Sequence, residues 1–204
     1  MSKSVFFYYL KKNTKYFLIL IVVFFIGIVG GIYFVNNANE TQTNEICNYV
    51  YSLKENIKSS NSINRTLILM KSVKQNVGFA ILIWFLGCTF LGSFLIYIAI
   101  FYKGFSLGYT ISAILASLGI KSGTLFVLVS LLLQNLIYLP MIFILSISGI
   151  NLYQNVKKDK SFNMKKEFLK HAIILGFSIL ISIICSFIEV YISTNFLIFF
   201  KNFF

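Results

Sequence analysis

Residues 78–150 read GFAILIWFLGCTFLGSFLIYIAIFYKGFSLGYTISAILASLGIKSGTLFVLVSLLLQNLIYLPMIFILSISGI, and the only charged residues among them are Lys103 and Lys121. A soluble domain carries about one charged residue in four, because it needs a polar surface. So long a stretch with two charges has no water-facing side and belongs in lipid. The rest of the chain agrees: of 204 residues 58% are hydrophobic and 12% charged, with 23 Phe and 12 Tyr, and the mean hydropathy is +0.83. The expected fold class is an all-α integral membrane protein, a polytopic bundle of about five transmembrane helices.

The two lysines divide the block into runs at Gly78–Tyr102, Phe105–Ile120 and Thr124–Ile150, taken as spans two to four. A first span is read at residues 17–35, about 28 Å if helical, which matches a hydrocarbon core of about 30 Å. A fifth is read at Ala172–Ser193, with residues 172–204 forming that span and an outer tail. The run 105–120, about 24 Å if helical, is short for a span and raises a re-entrant alternative. Charge arbitrates. With five spans and the N-terminus inside, residues 1–16, Lys103 and residues 151–171 hold 11 of the basic residues, against seven outside. A re-entrant third run would move the lysine-rich loop 151–171 outside, against the positive-inside rule. The predicted topology is therefore N-in/C-out.

Three non-membrane pieces follow from this reading. Residues 1–16 combine Lys3, Lys11, Lys12 and Lys15 with Phe6, Phe7, Tyr8 and Tyr9, the makings of a cytoplasmic interfacial anchor. Residues 151–171 form a basic cytoplasmic loop. Residues 36–77 form an extracytoplasmic segment in which Ile46, Tyr49, Val50, Leu53 and Ile57 share one helical face, with a weaker stripe at Ile63, Leu67, Met70 and Val73. Such a face lies on the bilayer or the protein itself, or it docks a partner, with Tyr49 and Leu53 as the candidate docking residues.

The net charge of +12 is interleaved with apolar runs, so anionic lipids are the expected partner and nucleic acid is not. One His, six acids and scattered Cys47, Cys88 and Cys185 offer no metal or disulfide pattern. No phosphate-binding loop, HExxH or nucleophile elbow is present. The expectation is a protein that is not an enzyme and uses no cofactor. His171 is expected among lipid headgroups, and Cys88 and Cys185 as small apolar residues within the membrane.

Within the spans, small residues four apart occur at Gly27 and Gly31, Gly104 and Gly108, and Gly119 and Gly123. In lipid such pairs let helix backbones approach closely. The last span carries Ser178, Ser182, Ser186, Glu189 and Ser193 as one polar stripe. Glu189 is an intramembrane acid and needs a partner. Gln134 and Asn135, ahead of Pro140, are the candidates, because a proline also frees a helix carbonyl four residues back. The set Gln134, Asn135, Pro140 and Glu189 reads as a clamp joining spans four and five, or as part of an ion or substrate path.

The segments FYKGFSLGYTISAIL, LLLQNLIYLPMIFILSIS and SFIEVYIST, with the length and five-run layout, resemble the stage II sporulation protein M family. The polar pair before a proline matches Gln134, Asn135 and Pro140, and a Glu-x-Tyr in the final span matches Glu189 and Tyr191. The chain departs from the family pattern at Leu133, where a proline often precedes the amide pair, and after Thr194, where no proline follows. The resemblance implies a non-enzymatic scaffold of the sporulation engulfment machinery in the bacterial cytoplasmic membrane, on the mother-cell side of the septum. It would anchor and recruit two peptidoglycan-degrading partners, stage II sporulation proteins D and P. The competing reading is a small permease or channel subunit using the Glu/Gln/Asn cluster.

Overall fold

The structure, a computed structural model, describes residues 13–59, 65–89, 91–128, 131, 133–158 and 164–193. It is all-α, with no strand among the described residues. In chain order the helices are α1 (Thr14–Asn36), α2 (Glu40–Ser59), α3 (Arg65–Gly87), α4 (Gly92–Leu118), α5 (Ile120–Val127), α6 (Leu133–Lys158) and α7 (Met164–Phe187), the last continued by a π-helical turn at Ile188–Ser193. Five of them are long and apolar enough to cross a membrane: α1, α3, α4, α6 from Gln134 to Asn155, and α7 through Tyr191.

The number of spans agrees with the sequence reading, but their bounds do not. The second span begins at Arg65 rather than Gly78, so the stripe at Leu67, Met70 and Val73 belongs to a spanning helix. It ends at a turn at Cys88 and Thr89, where the Thr89 hydroxyl donates to the Leu86 carbonyl at 2.7 Å and the Gly92 amide donates to the Thr89 carbonyl at 3.0 Å. That turn lies in apolar sequence, so hydropathy cannot locate it, and Cys88 sits in it exposed. Lys103, taken as a loop residue, is the twelfth residue of the 27-residue α4. Residues 105–118 are the second half of that helix and form neither a span of their own nor a re-entrant loop. The fourth run is also split, into α5 and α6.

Two packing modes build the bundle. Along α1 and α4 the backbones touch. A Cβ on Gly27 would lie 2.3 Å from the Phe101 carbonyl oxygen and one on Gly31 2.2 Å from that of Phe105. From the other side, Gly104 and Gly108 would meet the carbonyls of Phe24 and Ile28 at 2.2 Å. These distances exclude any side chain at the four positions, which is how small residues hold helices together in lipid. Polar contacts tie both ends of α1: Asn151 donates to Asn13 at 2.9 Å, the Tyr16 hydroxyl donates to Gln154, and Ser112 donates to Asn36 at 3.3 Å.

Helices α3, α6 and α7 pack against one another beside this pair. Over its membrane-length stretch α6 is 56% buried, against 22–28% for the other four, which makes α6 the central helix. The outward faces stay apolar, with Leu18, Val22, Phe25 and Val29 of α1 exposed. In water that would be an aggregation surface, whereas in a bilayer it is the lipid contact. Gly119, at φ 78° and ψ 166°, makes the reversal from α4 into α5 with a backbone that side chains disfavour. Gly123 then seats α5 on α4 at Leu115.

Helix α2 opens with half of a capping box, the Asn39 amide donating to the Gln42 side chain at 3.2 Å. Its Val50 is buried and Ile46 partly so. The Tyr51 hydroxyl donates to the Ser117 carbonyl at 2.9 Å, and the Ser117 hydroxyl lies 3.5 Å from the Cys47 sulfur. At these positions the apolar stripe of α2 is turned onto α4. Tyr49 and Leu53 fall on the same helix, but their side chains lie outside the described residues.

Candidate functional site

A polar cavity of about 120 Å³ opens among α3, α4, α6 and the π-helical turn. Its charged walls are Lys103 and Glu189, and Gln75, Asn76, Gln134 and Asn135 supply amides. Asn76 is the midpoint of the 23-residue α3 and Lys103 lies close to the midpoint of α4. At 1.5 Å per residue, Lys103 is about 16 Å along its helix, deep in the hydrocarbon region.

Each wall is placed by helical spacing. Lys103, Ser106 and Thr110 at i, i+3 and i+7 form one face of α4, and Ser72, Gln75 and Asn76 form one face of α3. Glu189 is carried by the π-helical turn, where the i→i+5 pattern shifts the register of the preceding α-helix and re-aims its side chains. The Lys103 ammonium stands 5.5 Å from the Phe79 ring centre and 5.2 Å from that of Tyr138. Both rings stabilise a cation by their π faces. No direct ion pair joins Lys103 to Glu189.

Below the cavity a hydrogen-bond network holds α3, α6 and α7. Ser72 donates to Glu189, Asn76 donates to Ser186 at 3.1 Å and to Ser72 at 3.3 Å, and the buried Tyr138 hydroxyl donates to the Asn76 carbonyl at 2.9 Å. Ser178, Ser182 and Ser186 are buried and each donates to the carbonyl four residues earlier.

The sequence had paired Glu189 with Gln134 or Asn135. All three line the cavity, but Glu189 takes its hydrogen bond from Ser72, and Asn135 donates to the Leu131 carbonyl at 2.8 Å. The bond at Glu189 therefore joins the fifth span to the second, because α3 begins early enough to bring Ser72 into the membrane. Pro140 lies exposed within α6, away from the cavity lining. Lys103, Ser72, Gln75, Asn76, Ser106 and Thr110 were missed. Polar residues at helical spacing in 72–76 and 103–110 were the available signal, obscured by placing Lys103 and the amphipathic segment before Gly78 outside the membrane.

His171 is likewise displaced from its expected headgroup position. It is 1% exposed, with Nδ1 3.0 Å from the Ser148 hydroxyl and Nε2 3.2 Å from the Trp84 carbonyl. A carbonyl only accepts, so Nε2 carries the proton and Nδ1 accepts from Ser148. Gly87 and Gly149 make the room: a Cβ on Gly87 would lie 2.8 Å from His171 Nε2. This imidazole is a structural linker of α3, α6 and α7. No metal-binding cluster occurs among the described residues.

A family model described as Stage II sporulation protein M matches residues 20–194. Comparison with curated proteins and with solved structures finds no significant similarity. The matched range runs from the first helical turns of α1 to the end of the π-helical turn and includes every residue lining the cavity. With five membrane-length helices over that same range, this multi-pass membrane protein belongs to the stage II sporulation protein M family.

Proposed function

We propose that the chain is a non-enzymatic membrane scaffold of the engulfment machinery, lying N-in/C-out in the mother-cell membrane at the septum. There it recruits the peptidoglycan-degrading stage II sporulation proteins D and P. The family match across 20–194 carries this reading. The build of the molecule supports it: α2, a 20-residue helix outside the spans, is fastened to α4 through Tyr51 and Val50 and presents Thr41, Asn44 and Asn48 outward. A fastened helix presents a partner with a preorganised surface. The inner-side excess of basic residues survives the transfer of Lys103 into α4, because the lysines of 3–15 and 157–170 are unaffected.

Co-purification of D and P with the tagged protein tests the proposal. Tyr49→Ser with Leu53→Ser leaves every span intact, so membrane insertion should persist while recovery of both partners falls severalfold. Undiminished recovery would place docking elsewhere, and recovery of neither partner with the unaltered protein would overturn the scaffold reading. Orientation is read by thiol labelling. Asn48→Cys and Ser60→Cys should react in intact cells and Ser161→Cys only after permeabilisation, and external reaction at position 161 would refute the N-in arrangement.

One observation favours a second reading, a small permease or channel subunit: two opposite charges, Lys103 and Glu189, line one intramembrane cavity. Solute flux into liposomes containing only this protein would support it, and flux equal to that of empty liposomes would remove it.

A further inference from the structure

The Lys103 ammonium has three N–H donors and no acceptor. Its close neighbours Phe79 and Tyr138 offer ring faces, which stabilise the charge without taking those hydrogens. Across the cavity Glu189 offers carboxylate oxygens, but the two groups do not meet. A cation midway along α4 and an anion near the end of the fifth span, held apart in one cavity, match a guest carrying the opposite pair, an acidic oxygen group toward Lys103 and an ammonium toward Glu189. Gln134 and Ser106 line the same space and add neutral donors for the oxygens. At about 120 Å³ the cavity is several times the volume one water needs, so it has room for a small polar head.

The cavity does not end in protein. An apolar groove of about 230 Å³ continues from it, sharing Leu107, Leu131 and Asn135 and extending past Phe24, Leu136 and Leu139. Leu136 is exposed on the outer face of α6, so the groove opens toward lipid. A soluble zwitterion would fill the polar chamber and leave this groove empty, whereas an amphiphile fills both.

We infer that the cavity and groove form a binding site for a zwitterionic aminophospholipid. Its phosphate sits on Lys103, its primary ammonium on Glu189, and one acyl chain lies along Leu107, Leu131 and Leu139. Phosphatidylglycerol would leave Glu189 unmatched, and the methylated head of phosphatidylcholine has no N–H to give it.

The test is lipid retention. The full chain is reconstituted in nanodiscs of equimolar phosphatidylethanolamine, phosphatidylglycerol and phosphatidylcholine, extracted in mild detergent, and its retained lipid measured by mass spectrometry. Phosphatidylethanolamine should be enriched about tenfold over the bulk ratio, equivalent to about 1.4 kcal/mol of head-group discrimination. Lys103→Gln and Glu189→Gln should each return retention to the bulk ratio, while Lys103→Arg keeps the enrichment. Retention at the bulk ratio by the unaltered protein overturns the inference, and that comparison needs no variant to fold. Equal enrichment in Lys103→Gln also overturns it. Thermal stabilisation by soluble O-phosphoethanolamine, without retention of the phospholipid, would overturn the lipid assignment in favour of a water-soluble ligand.

Discussion

The α1–α4 pair and the α3–α6–α7 trio solve one problem in opposite ways. Between helices in lipid there is no hydrophobic drive, since acyl chains are as apolar as leucine, and association rests on close packing and polar contacts. Along their length α1 and α4 use packing: four glycines bring carbonyl oxygens into the space a Cβ would occupy. The trio has one such close approach, Gly87 of α3 against Gly149 of α6, and for the rest uses hydrogen bonds, through Ser72, Asn76, Tyr138, Ser186 and the His171–Ser148 contact. A packed seam excludes everything else, whereas a polar seam contains groups that can also face a ligand. The cavity therefore borders the trio, and Lys103 reaches it from the far side of the zipped helix α4.

This contrast can be broken most severely at the glycines. In Gly108→Ala the new methyl meets the Ile28 backbone at 2.2 Å, and backbone cannot swing aside as a side chain can. The expected cost is about 3 kcal/mol, the upper end for overpacking. It should appear as a lower melting temperature in detergent and early proteolytic release of α1. Wild-type melting would mean that the seam is looser than described.

A smaller effect is expected in the trio. Asn76→Leu removes the bonds to Ser186 and Ser72 and should cost about 1–2 kcal/mol. A double-mutant cycle with Ser186→Ala should return a coupling of about 0.6 kcal/mol, the average for interhelical hydrogen bonds in membranes. Zero coupling would assign the cost to packing alone and erase the distinction between the two regions.

The smallest effect belongs to Ser182→Ala. Although Ser182 is buried on the same stripe, its hydroxyl donates to the Ser178 carbonyl in its own helix. Its loss should cost less than about 0.5 kcal/mol in the same melting assay. A large loss would give this serine an interhelical role like that of Asn76.

Residue chemistry alone determined that this chain is helical and membrane-embedded, because so few charges cannot clothe a soluble surface and lipid admits only backbones with internal hydrogen bonds. It also picked out Gly27, Gly31, Gly104 and Gly108 and the serine stripe of α7, since a 3.6-residue period is visible in one dimension. Where the helices break was hidden, because the turn at Cys88 and Thr89 lies in sequence as apolar as what it joins, and Lys103 imitates a loop charge while sitting in the middle of α4. Which groups meet was decided only by tertiary structure. Glu189 finds Ser72, and Lys103 faces the same cavity, because helix register and a π-helical turn set the direction of each side chain, and neither is written in local hydropathy.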